Sequence, residues 1–214
     1  MYIPPAFAEP DPSVLHAFLD AHPLGALVTA TPAGLLATHL PLLLDRAAGP
    51  HGTLRGHVAR ANPHATAPSG GEALVIFAGP DAYVTPGWYP SKQAHGRVVP
   101  TWNYVAVHAY GPLRLVDDRA WVIAHLAELT GRHEAGRAHP WGLGDAPAGY
   151  IERVADDTVG VEIPLTRLEG KWKMSQNRPA ADIAGVVAGL GASAADGDRA
   201  AGAVVAARTP ASKR

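Results

Sequence analysis

The chain has no cysteine, which removes disulfides, thiolate metal sites, iron–sulfur clusters and any cysteine nucleophile together. It has no excess charge of either sign. Its 18 basic residues face 19 acidic ones, a net charge of −1, whereas a general polyanion binder carries a basic surplus. No run approaches the roughly 18–20 consecutive apolar residues that span a bilayer. The start, Met1-Tyr2-Ile3-Pro4-Pro5, lacks a basic segment followed by an apolar one, so no secretion signal is expected and the expected compartment is the cytoplasm. Motifs are missing too. No G-x-G-x-x-G follows a strand, and there is no G-x-x-x-x-G-K-[ST] and no H-E-x-x-H, which removes the dinucleotide, triphosphate and zinc-protease fingerprints. Ser91 and Ser175 lie in no G-x-S-x-G elbow, so a hydrolase triad has no support. His133-Glu134 and His139 read as solvated loop residues before they read as metal ligands.

What is present is a chain of 214 residues, 47% apolar, enough to bury a core of its own. Its 23 glycines and 20 prolines punctuate it too often for a helical bundle and suit short strands joined by turns. Asp11 and Pro12 start a helix carrying Val14, Leu15, Phe18 and Leu19 at helical spacing, and His22-Pro23 ends it. Strands are expected over 25–31, 36–45, 52–59, 74–78 and 98–116, the last interrupted at Gly111-Pro112. The 36–45 strand is apolar except for Thr38 and His39, so burial on both faces is expected and those two residues need partners. Asp117 and Asp118 offer caps for a helix over 119–130, residues 158–173 alternate like strand, and 181–190 read as a short helix. From Gly191 on, few large apolar side chains remain. A frayed tail over 191–214 is expected, whose deletion leaves binding and assembly intact. Sequential strands with turns too short for helical crossovers favour an antiparallel barrel or sandwich over a parallel doubly wound sheet.

Three stretches carry chemistry. Residues 83–110 interleave Trp88, Tyr89, Trp102, Tyr104 and Tyr110 with Ser91, Lys92, Arg97, Thr101, Asn103 and His108. Rings and hydrogen-bonding groups in that mixture suit a planar conjugated ligand, or they fill a core or a dimer interface. Lys171-Trp172-Lys173-Met174-Ser175-Gln176-Asn177-Arg178 could grip a phosphate, or form a solvated turn with Asn177 capping the helix that Pro179 opens. Gly56-His57-Val58-Ala59-Arg60-Ala61-Asn62-Pro63 sets a His and an Arg at a strand end, where a structural His57 is the competing reading.

Taken together with Met1-Tyr2-Ile3-Pro4 and Phe7, Ala37-Thr38-His39-Leu40-Pro41, Phe77-Ala78-Gly79-Pro80, Tyr83-Val84-Thr85-Pro86-Gly87-Trp88-Tyr89, Ser91-Lys92, Val99-Pro100-Thr101-Trp102-Asn103-Tyr104 and Pro140-Trp141, these stretches are more specific than any one alone. The chain resembles the PaiB-type family, FMN-binding proteins of the split β-barrel flavoprotein superfamily labelled as negative transcriptional regulators. The resemblance covers residues 1–190. It departs slightly at Asp182-Ile183, where the family form is D-R-x-G-V, and this departure is expected to fall on a helix surface.

The resemblance implies an α+β, mainly antiparallel split barrel with flanking helices over 1–190. It further implies a homodimer with FMN in clefts between subunits; that no membrane partner is expected follows from the lack of a spanning apolar run. By motif position the cofactor residues would be Thr38, His39, Leu40, His57, Arg60, Asn62, Lys92, Trp102, Asn103, Tyr104, Lys173, Ser175, Gln176 and Arg178. DNA as a partner follows from the family label alone: no two helices are expected to be joined by a three- or four-residue turn, and there is no basic stripe. A flavin-dependent oxidoreductase, a haem- or other planar-ligand-processing enzyme, and a flavin carrier or sensor are the competing functions.

Overall fold

Pro12 has no N–H to lose at a first helical turn, and in the computed structural model the first helix begins there. The structure describes residues 1–66 and 71–209. In chain order its elements are β1 (Ala8–Glu9), α1 (Pro12–Ala21), β2 (Leu24–Thr31), β3 (Gly34–Pro41), β4 (Leu43–Asp45), β5 (Thr53–Ala59) and β6 (Glu72–Val84). There follow α2 (Pro90–His95), β7 (Thr101–Pro112), β8 (Arg114–Val116), α3 (Arg119–Glu134), α4 (Tyr150–Asp156), β9 (Thr158–Pro164), β10 (Arg167–Lys173), α5 (Ala180–Gly191) and α6 (Asp196–Arg208). The fold class is the expected one: antiparallel sheets with flanking helices.

The chain forms two compact units, and the long strands β6 and β7 supply residues to both. The larger unit holds Pro12–Phe77 and His108–Leu168. In it β2 pairs antiparallel with β3 over its whole length and with β6 at Ala26↔Ile76. A second sheet runs β4-β5-β9-β8. Burial alternates along β2 and β5, as it must where one strand face meets the core. Leu27, Leu43, Leu54, Val75, Phe77, Val161 and Ile163 are buried there. Asp118 caps α3 by accepting from the amides of Ala120 and Trp121, and α3 lies close to β9 because Gly160 has no side chain: a Cβ there would meet the Trp121 ring at 2.3 Å.

The smaller unit holds Met1–Asp11, Ala78–Val107 and Glu169–Arg214. In it β1 pairs antiparallel with β10, Ala8 opposite Lys171 and Glu9 opposite Gly170. Helix α2 is pinned to α5 by Asp182, which is 1% exposed and accepts from both the amide and the hydroxyl of Ser91.

Several expectations are corrected here. The 36–45 strand breaks at Leu42 into β3 and β4, which lie in different sheets. Among the described residues β3 has one strand neighbour and an exposed face, with Leu35 81% exposed, so it is not buried on both sides. β6 runs unbroken through Gly79-Pro80, since the proline's fixed φ is compatible with extended backbone. Asp182 and Ile183 are buried, not on a helix surface.

The segment after Gly191 is not frayed: α6 buries Ala201, Gly202 and Val205. Helices α5 and α6 are joined by residues 192–195, so a closely paired helix hairpin does exist. Positions 210–214 of the expected tail lie outside the described residues.

Candidate functional site

In the smaller unit, a cavity of about 110 Å³ is lined by Phe7, Thr101, Asn103, Lys173, Ser175, Asn177 and Arg178. β10 carries Lys173 to its rim, and the turn that follows carries Ser175, Asn177 and Arg178. That turn is built by three bonds. Gln176 accepts from the Met174 amide at 2.7 Å through Oε1 and donates through Nε2 to the Trp172 carbonyl at 2.5 Å, while the Arg178 amide donates to the Ser175 carbonyl at 2.9 Å. The helix cap expected of Asn177 is absent, because Pro179 is the N-cap of α5 and no side chain bonds there.

Ser175 is the non-glycine residue with positive φ, 64°, among the described residues, a conformation that costs about 1 kcal/mol or more and persists only where the surroundings hold it. What holds it is Asn103, 1% exposed, whose Nδ2 donates to Ser175 Oγ at 3.0 Å.

The Lys173 ammonium donates to Thr101 Oγ1 at 2.6 Å and to the Trp102 carbonyl at 2.7 Å. An ammonium has three N–H donors, so one remains for a ligand. Burial, assisted by the charges of Lys171 and Arg178 and opposed by Tyr104, lowers its pKa below the ordinary lysine value. Lys171 and Lys173 lie 5.2 and 5.9 Å from the Tyr104 ring centre, and the Arg178 guanidinium lies 4.9 Å from that of Tyr89. The cavity thus gathers cations, hydroxyls and amides, with no carboxylate in its lining. Such a set is complementary to an oxyanion.

The expected residues are distributed unevenly. Asn103, Lys173, Ser175 and Arg178 share this cavity, and Gln176 shapes its turn. Consecutive strand residues face opposite sides, so Trp102 and Tyr104 do not join Asn103. Trp102 is 51% exposed, bonds Asp81 through Nε1 at 2.9 Å and meets Tyr83 edge-on. Lys92 lies exposed on α2. Phe7, Thr101 and Asn177 complete the lining. Each stood in a quoted motif, yet nothing in the spacing singles them out.

The remaining expected residues belong to the larger unit. Thr38 and Asn62 bond each other at 3.3 Å and enclose His64, which is fully buried. The two ring nitrogens of His64 lie 2.8 Å from Thr38 Oγ1 and 3.1 Å from Thr29 Oγ1, and its amide donates to Asn62 Oδ1. Thr38 therefore has the partners its strand demands. Burial lowers the His64 pKa, as suits a ring held between hydroxyls. Leu40 is core, and His39 is exposed on β3.

His57 sits 3.2 Å from His125 of α3, whose ring stacks on Trp121 at 5.3 Å. Arg60 holds both carboxylate oxygens of Asp117, at 2.7 and 2.9 Å, and the Asp156 carbonyl at 2.8 Å. That fork ties a strand end to two neighbouring segments. Among the described residues no helix is long and apolar enough to cross a membrane.

Residues 1–167 match the family model described as "Putative FMN-binding domain". An uncharacterized protein of Emericella nidulans is 35% identical, the match covering 89% of this chain and 90% of that protein. The protein of Bacillus subtilis called protease synthase and sporulation protein PAI 2 is 30% identical, over 87% of each chain. Among solved structures, the FAD and heme binding protein from Mycobacterium smegmatis aligns with a TM-score of 0.59 at 16% identity, covering 83% of this chain and 78% of that one. The flavocytochrome Anf3 from Azotobacter vinelandii aligns at 0.55 and 15%, covering 78% and 69%. At those identities the structures speak for the fold. The sequence matches go further: the chain belongs to the PaiB-type FMN-binding family.

Proposed function

We propose that this protein binds FMN, with the phosphate in the cavity of Lys173, Ser175 and Arg178 and the isoalloxazine ring outside it, in a cleft shared by two copies of the chain. The observation that carries this reading is the carboxylate-free lining of Thr101, Asn103, Lys173, Ser175, Asn177 and Arg178 around a space of about 110 Å³. Sites for whole drug-sized ligands run to roughly 300–1,000 Å³, so the cavity suits a phosphate group and leaves no room for three fused rings. The free donor of Lys173, the planar fork of Arg178 and the Thr101 hydroxyl match phosphate oxygens. When bound, FMN supplies one- and two-electron redox chemistry; the residues here bind and orient it.

A direct grip on DNA is the weaker part of the family label. The helix hairpin α5–α6 has the outline of a DNA-reading pair. However, the cations of α6 are spent inside the chain, Arg199 on Asp196 and Arg208 on Glu9, and a net charge of −1 offers no phosphate-binding excess. A flavin-dependent oxidoreductase or redox sensor is the better companion to the cofactor.

Titration with FMN tests the proposal. Flavin fluorescence is expected to quench to a stoichiometric end point, with FMN co-eluting from a sizing column. Absence of both at micromolar FMN would overturn it.

A further inference from the structure

Arg208, at the end of α6, lines no part of the phosphate cavity, yet it reaches β10, which carries Lys173, and β1, which follows directly on Phe7. Its Nη1 donates to Glu9 Oε2, and its guanidinium lies 4.8 Å from the centre of the Trp172 ring. Glu9 is 8% exposed and stands two residues after Phe7, the apolar wall of the cavity. Trp172 immediately precedes Lys173, and its carbonyl anchors the turn that carries Ser175 and Arg178. We propose that Arg208 is a positioning residue for the anion cavity, clamping β1 against β10 so that Phe7 seals Lys173 and Arg178 from water. This rests on the phosphate reading above.

The backbone alone holds that wall weakly. β1 is two residues long and pairs with β10 at Ala8 and Glu9 only. Further ties join the segment before Phe7 to β10, Lys171 Nζ donating to the Tyr2 carbonyl at 3.0 Å and the Met1 ammonium donating to Glu169 Oε2 at 2.6 Å, and both lie on the far side of Phe7 from Glu9. α6, by contrast, is firmly seated. Ala201 and Val205 are fully buried, and Gly202 lies so close to Leu190 of α5 that a Cβ would meet it at 2.9 Å. A clamp on a seated helix fixes a strand that could otherwise lift. Sealing matters because attraction between a phosphate and a cation strengthens steeply as water is excluded. A loosened wall therefore weakens phosphate recognition selectively, sparing contacts made to the ring.

The test measures FMN and riboflavin affinities for the wild type, Arg208→Gln, Arg208→Lys, Glu9→Gln and Arg178→Ala, each with its melting temperature without ligand. Arg208→Gln is expected to weaken FMN by between about twofold and thirtyfold, with riboflavin unchanged. Arg208→Lys, which keeps the charge, should recover much of the loss. Glu9→Gln should reproduce it, and serves alone if Arg208→Gln does not fold. If Arg208→Gln and Glu9→Gln bind FMN as the wild type does, or lose both ligands equally, while Arg178→Ala still separates them, the clamp is wrong and the phosphate site stands. If Arg178→Ala fails to separate them, the phosphate site is wrong and the clamp falls with it.

Discussion

His125 is a base kept neutral by where it sits. Burial first, then the charges of His57 and Arg55, lower its pKa from 6.5 to about 4. A folded-state pKa below the unfolded one means the unfolded chain takes up the proton first as pH falls. The stability at stake is whole above pH 6.5 and is lost as pH drops toward 4, about 3 kcal/mol in all. Burial shifts His22, His57 and His64 the same way, so they add to the slope. Denaturant unfolding between pH 7 and 4 should show stability falling, and His125→Phe should fall less steeply. Identical slopes would refute the assignment. The sequence put His125 within an expected helix over 119–130 and offered Thr38 as a polar residue needing a partner. Which imidazole supplied that partner was not legible, because His64 lies in the turn after β5 and meets Thr29 and Thr38 of the β2–β3 hairpin across 35 and 26 residues of chain.

Helix α5 follows the turn that carries Arg178, and its position depends on absent side chains. A Cβ on Gly185 would meet the Trp88 carbonyl at 1.9 Å, a backbone atom with nowhere to go, whereas Gly191 has open space. Gly185→Ala should destabilise by about 1–3 kcal/mol, and Gly191→Ala, in the same helix, should be neutral or mildly stabilising. Thermal melts of the two decide it, and equal midpoints would show that the close approach is not what seats the helix. Elements with strong punctuation were readable at this scale: α1 from Pro12, α3 from its Asp118 cap, β2 and β5 as strand segments ended by turn residues. α2 and α4 are short and lack an apolar stripe. α6 was misread for a physical reason, since it is held by Ala201, Gly202 and Val205 packed on α5, and small residues leave no amphipathic pattern. The same reading placed β9 and β10 in one alternating run, which periodicity cannot assign to separate sheets.

For the molecule as a whole, Tyr83 and Trp102 are each at least half exposed in the single chain and meet edge-on, an apolar pair that the proposed second copy would cover. Light scattering should give about twice the 22.3 kDa chain mass, and a monomer at micromolar concentration would contradict the proposed shared cleft. The cofactor class was legible from joined motifs. The split of the named residues between a cavity in one unit and internal networks in the other was not, because motif position carries no information about which way a side chain turns. The central claim is that Lys173, Ser175 and Arg178 read the phosphate, and comparing FMN with riboflavin on wild type and Arg178→Ala tests it most directly. The substitution should weaken FMN by about ten- to a hundredfold and leave riboflavin untouched; equal losses for both ligands, at an unchanged melting temperature, would contradict it.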